Sequence, residues 1–194
     1  MNKNADRYLI ELGEIVYRHD MQNVVGITMA HRHFKIKEGE QLVEEIKQYS
    51  SEIKPLTNVS DDGVIPFTWK LSRGKNGDLL WFPLEFVQVD TVSEDSINNE
   101  LILRDSYDFL NEFSNTLVEL GMEDVFGLCI VHREFNVLQN EILVETLEEK
   151  SRTLFFNVKS KSELTDTTLI PTFWCFDKKG NMLEAEAWKH CIGH

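Results

Sequence analysis

The sequence predicts an α+β fold made by internal duplication: two modules, each an N-terminal helix followed by a roughly five-stranded antiparallel sheet, related by a pseudo-twofold axis. Three observations predict it. Residues 24–45, VVGITMAHRHFKIKEGEQLVEE, return at residues 125–146 as VFGLCIVHREFNVLQNEILVET. Without a gap, Gly26, His31, Arg32, Phe34, Glu40, Leu42, Val43 and Glu44 align with Gly127, His132, Arg133, Phe135, Glu141, Leu143, Val144 and Glu145. A second echo, VIPFTWKL at 64–71 and LIPTFWCF at 169–176, aligns Ile65, Pro66 and Trp69 with Ile170, Pro171 and Trp174. In both copies the apolar period also changes from helical to strand-like just before the first echo. The modules are expected at residues 1–90 and 105–194. Residues 91–104 join them as a linker or connecting strand, because DTVSEDSINNE at 90–100 is the linker-like composition and ELILR at 100–104 suits a short strand.

In chain order, Asn4 caps a helix of about four turns carrying Tyr8, Leu9, Leu12, Ile15 and Val16 on one face. Its counterpart starts at Asp105 or Ser106 and carries Phe109, Leu110, Phe113, Leu117 and Val118. Residues 24–34, β-branched and apolar, read as a strand buried on both faces. Lys37, Glu38 and Gly39 suit a three-residue hairpin loop with Gly39 in the left-handed region, and Asn140, tolerant of that conformation, stands at the equivalent place. That hairpin puts Arg32 opposite Glu44, Phe34 opposite Leu42, His33 opposite Val43, and Arg133 opposite Glu145. Further strands are expected at 51–56 and 153–158, at 64–71 and 169–176, and at 79–87 and 182–190, the last pairs joined by turns at Gly74 to Gly77 and at Lys179-Gly180.

The formal charge of −13, from 33 acidic and 20 basic residues, repels phosphate backbones and anionic lipid, so neither nucleic acid nor membrane is an expected partner. Cys129, Cys175 and Cys191 are widely spaced with no CxxC, which argues against a disulfide framework or cysteine-rich zinc site and fits the cytoplasm. The N-terminal MNKNADRYLI lacks the apolar core of a targeting signal, and no apolar run reaches membrane-spanning length.

His31, His33 and Glu40, or Glu38, resemble the first cupin motif, in which two imidazoles two residues apart share one strand face and a carboxylate completes a metal site. The spacing before His31 is short, no third histidine motif follows, and the copy has Glu134 in place of His33. His31 and His132 are equally explained as half-buried, hydrogen-bonded histidines at a repeat interface. His132-Arg133-Glu134 matches the HxE fragment of zinc deaminases without the PCxxC that completes it. Cys191 and His194 offer two metal donors on a chain end. There is no GxSxG elbow, and Gly74-Lys75-Asn76-Gly77 lacks the residues of a phosphate-binding loop. Trp69, Trp81, Trp174 and Trp188 read as core packing, with a ligand groove or partner patch between the halves as the functional alternative.

HRHF before a G-E step, carried by His31, Arg32, His33, Phe34, Gly39 and Glu40, with an IP-x-x-W strand downstream, resembles an uncharacterised family of fungal and bacterial proteins. The second copy departs from that pattern at Glu134 and Asn140, and the resemblance implies no activity.

These readings predict a non-enzymatic, acidic binding protein without a cofactor or metal: an antagonist or immunity-like partner of a basic protein, or a small-ligand binder in the cleft between repeats. Its binding candidates are Trp69, Trp81, Trp174, Trp188, Arg32 and Arg133, and a monomer with pseudo-dimeric symmetry is expected. The alternative is a metal-assisted enzyme using His31, His33 and Glu40 with the second repeat degenerate, its wider catalytic candidates including His132 and Glu141.

Overall fold

The computed structural model describes residues 3–31, 33–48, 50–131, 137–164, 168–179 and 182–192. The first repeat comprises α1 (Lys3–Arg18), β1 (Val25–Met29), β2 (Glu40–Ile46), β3 (Ser50–Thr57), β4 (Val64–Arg73) and β5 (Leu79–Gln88). Helix α2 (Glu94–Asp105) comes next, and then α3 (Tyr107–Glu119), β6 (Phe126–Ile130), β7 (Glu141–Glu148), β8 (Thr153–Ser160), β9 (Leu169–Lys179) and β10 (Met182–Ile192). The expected helices and most expected strands therefore form. The segment expected as a linker or connecting strand at 91–104 is mostly α2, capped where the Ser93 hydroxyl accepts from the Ser96 amide.

The expected architecture of two pseudo-twofold-related α+β modules, each with a roughly five-stranded antiparallel sheet, is incorrect. The strands close into one mixed ten-stranded barrel, in the order β1-β6-β4-β5-β2-β3-β8-β7-β10-β9 and back to β1. Strands from the two repeats pair across the β1–β6, β4–β6, β1–β9 and β3–β8 seams. β2 with β5 and β7 with β10 are parallel, and the other ladders are antiparallel. Closure pairs the backbone edges that two five-stranded sheets would have left open.

The expected first hairpin fails for the same reason. β1 ends at Met29 and is flanked by β6 and β9, so it never meets β2, and the described residues between them belong to a crossover connection. The turn itself does form: Gly39 has φ +77° and the Glu40 amide donates to the Lys37 carbonyl. Asn140 does not share that conformation, since the non-glycine residues of positive φ among those described are Asp20, Asn58 and Arg152. Arg32 and Arg133, expected opposite Glu44 and Glu145, lie outside the described residues.

Helices α1 and α3 cover the outside of the wall, burying Leu9, Leu12, Ile15, Phe109, Phe113 and Leu117 against outward-facing Val25, Ile27, Leu128 and Ile130. Alternate residues of β1 and β6 face inward, and there Gly26 and Gly127 are required. A Cβ on Gly26 would collide with the Trp174 carbonyl oxygen, and one on Gly127 with that of Trp69. Both glycines recur because the backbone approaches closely at both places. One end of the interior is filled by Leu42, Ile53, Leu143, Leu154 and Phe156, over which Phe34, Ile36 and Val137 fold from the two connections.

Candidate functional site

The barrel interior is polar beyond that apolar plug. Glu44, Ser51, Thr68, Glu145 and Thr172 are all buried, an arrangement that folding alone disfavours unless partners are supplied. Thr28, Thr68, Glu85, Cys129, Glu145, Thr172 and Lys189 line a cavity, with His31, His33 and Phe34 at its mouth. The atom-free space is about 600 Å³ with the mouth included, but only about 40 Å³ admits the centres of water-sized molecules. The enclosed part thus takes a few waters or a compact head group rather than a large ligand.

Two of these groups occupy equivalent stations. In the parallel pairs, Glu85 faces Leu42 and Lys189 faces Leu143, residues aligned in the two repeats. Register irregularities flank both the Thr68–Glu85 pair and the Phe173–Lys189 pair, and bulges of this kind re-aim side chains. Glu85 and Lys189 both line the cavity and are half-buried, so neither is packed solid.

Enclosure pushes the Glu85 carboxyl up to about 7; the Lys189 ammonium and a 2.8 Å hydrogen bond donated by Thr68 Oγ1 oppose the rise. Burial works to discharge Lys189, but the negative field of Glu44, with Cys129, Glu85 and Glu145, outweighs it and raises its pKa. The ammonium also lies 4.8 Å from the ring centre of Phe156, 5.4 Å from Phe67 and 5.9 Å from Phe173, in cation–π range. Glu44 accepts from the Ser51 hydroxyl through Oε1, while its buried Oε2 has no hydrogen-bond partner. The Cys129 thiol, enclosed beside these groups, is pushed up to about 12 by burial and stays protonated at neutral pH.

At the mouth, His33 Nε2 lies 2.5 Å from Glu145 Oε1, and His31 Nε2 lies 3.9 Å from Glu145 Oε2. Glu145 thus engages His33 through a short, charge-assisted contact. The contact raises the His33 pKa against the opposing effect of burial. The two imidazoles meet edge to face, 4.6 Å between centres. Cys191 is the ladder partner of Glu145, and burial raises its pKa.

Of the sequence-predicted site residues, His31 and His33 do converge, but with Glu145 and Cys191 rather than with Glu40. Glu40 instead holds Arg152 of the other repeat at 2.7 and 2.9 Å and caps its own turn by accepting from the Lys37 amide. Arg152 holds its carboxyl down at about 2. Glu141 likewise accepts from the Leu138 amide at 3.0 Å. His132 lies outside the described residues, as does His194. Cys191, expected on a chain end, sits within β10.

The tryptophans do not form one groove. Trp81 donates to Ser114 of α3 at 2.9 Å, Trp174 is buried edge-on to Phe126, and Trp69 and Trp188 pack partly buried against the main core. Sequence reasoning missed Glu85, Lys189 and the inward role of Glu44 and Glu145. The last two carried a signal: a carboxylate repeated inside an apolar strand in both copies.

Fold and site together define a closed mixed β-barrel with a charged interior. No family model, curated protein or solved structure matches the chain. Among the described residues, no helix is long and apolar enough to cross a membrane.

Proposed function

We propose that this protein is a binding barrel that holds a compact, positively charged small molecule, such as a primary amine or the amine head of a larger ligand, in its interior. The observation that carries the reading is an excess of carboxylates: Glu44, Glu85 and Glu145 share one ammonium, that of Lys189, and one imidazole, that of His33. A cation entering beside Glu85 offsets the uncompensated charge, and the Thr28, Thr68 and Thr172 hydroxyls along the wall supply hydrogen-bonding groups. The small enclosed volume favours a head group of a few non-hydrogen atoms. The expected basic protein partner rests on net charge and on the lack of a complete catalytic motif, whereas the cavity reading also has size, lining and polarity behind it.

The test is thermal unfolding and titration calorimetry of the full chain with compact primary amines and, in parallel, the matching carboxylic acids. Amines are expected to raise Tm with concentration, as any ligand selective for the folded state does. Glu85→Gln is expected to weaken that response about ten-fold or more, the order lost with one charge-assisted hydrogen bond. Stabilisation by the acids and not the amines, or by neither, overturns the reading.

A further inference from the structure

We propose that His31, His33, Glu145 and Cys191 form a structural binding site for one divalent transition metal ion of the zinc class, tying the first repeat's connection to two strands of the second. Among the described residues, these four side chains converge so that their donor atoms all lie within 4.8 Å of one another. His31 and His33 come from residues 30–39, and Glu145 and Cys191 from neighbouring positions on β7 and β10. A tetrahedral zinc ion with bonds of about 2.0–2.3 Å holds its donors roughly 3.3–3.8 Å apart. The present spacing therefore needs adjustments of about an ångström when the ion binds.

The donor chemistry selects the metal. A thiolate and two imidazoles suit zinc, cobalt or nickel and disfavour calcium and magnesium, which require oxygen. Thiolate and carboxylate together offset the charge of a divalent ion. His31 Nδ1 lies 3.1 Å from the Met29 carbonyl oxygen, so a proton held there leaves the Nε2 lone pair toward the cluster. His33 Nε2 lies 2.5 Å from Glu145 Oε1, so an ion entering between them would replace that contact with two coordination bonds. Four protein donors complete a tetrahedron and leave no position for substrate, which makes the site structural rather than catalytic. The metal would take up the charge of Glu145 and leave Glu44 and Glu85 facing Lys189, so the site does not depend on the amine-binding reading.

The experiment uses the untagged full chain, stripped with a chelator and titrated with Co²⁺ and then Zn²⁺. One equivalent of Co²⁺ is expected to bind with tetrahedral visible bands and a thiolate-to-cobalt charge-transfer band, to be displaced by Zn²⁺, and to raise Tm. Cys191→Ser is expected to remove the charge-transfer band, and His33→Ala to weaken binding at least about ten-fold, the least that loss of a supporting group costs a metal site. A Cys129→Ala, Cys175→Ala variant is expected to keep the band. If a ligand variant fails to fold by circular dichroism, the wild-type spectrum and this double variant decide the matter. Absence of stoichiometric metal, a cobalt spectrum without a thiolate band, or a band that survives Cys191→Ser overturns the site. Amine binding without metal binding would uphold the preceding reading and sink this one.

Discussion

At the residue scale, one exchange between the repeats sets the chemistry of the interior. Glu85 and Lys189 occupy the same station in their parallel pairs, so the barrel carries a carboxyl on one side and an ammonium on the other. Glu85 holds its proton up to about 7 in the folded chain but only to its ordinary 4.5 when unfolded. Between those values the folded state binds more protons, so rising pH favours unfolding through that window. Wild-type stability is expected to fall from pH 4.5 to 7 by a Glu85 contribution on the order of 2 to 3 kcal/mol. Glu85→Gln, which keeps an acceptor for Thr68, is expected to flatten that part of the profile in denaturant titrations, and an unchanged slope would refute the assignment. His31 and His33 were legible in the sequence as a pair on one segment. Glu145 was legible only as an alternating strand residue, because local pattern does not say which histidine a strand will meet.

At the scale of elements, α1, α3 and most strands follow from periodicity because each needs only its own face buried, whereas α2 has no such stripe and escaped it. Phe113 of α3 is fully buried, 5.5 Å from the ring of Phe109 and 6.1 Å from that of Trp81. Phe113→Ala is expected to cost about 3–5 kcal/mol by denaturant unfolding, in line with large aromatic truncations in packed cores. A loss under about 1 kcal/mol would show that α3 does not seal the wall there. The turn before Glu40 was legible from Gly39, yet it belongs to a crossover and not to a hairpin. The same backbone turn serves either purpose, and the strand available to pair with β2 decides between them. The bulges beside Glu85 and Lys189 left no mark in the pattern, since they interrupt the very alternation by which a strand is recognised.

At the scale of the molecule, closure couples the repeats. β1, β3 and β4 of the first all pair with strands of the second, and Arg152 reaches back to Glu40. Neither half contains a complete sheet, so the full chain is expected to unfold in a single transition, with far-ultraviolet dichroism and tryptophan fluorescence coinciding. Residues 1–90 expressed alone are expected to lack cooperative unfolding. A folded, cooperatively melting fragment would show that the halves are independent domains.

The sequence by itself determined the duplication, helices α1 and α3, most strand positions, the acidic character and the two histidines, because these are matters of composition and of short-range periodicity; α2, which lacks an apolar stripe, was not legible. Only the tertiary structure decided that the strands close into one barrel. It alone brought Glu145 and Cys191 to the histidines, diverted Glu40 to Arg152, and set Glu85 against Lys189. The physical reason is that alternation records which face of a strand is buried, whereas strand order depends on satisfying every backbone edge at once, and that is a property of the whole chain.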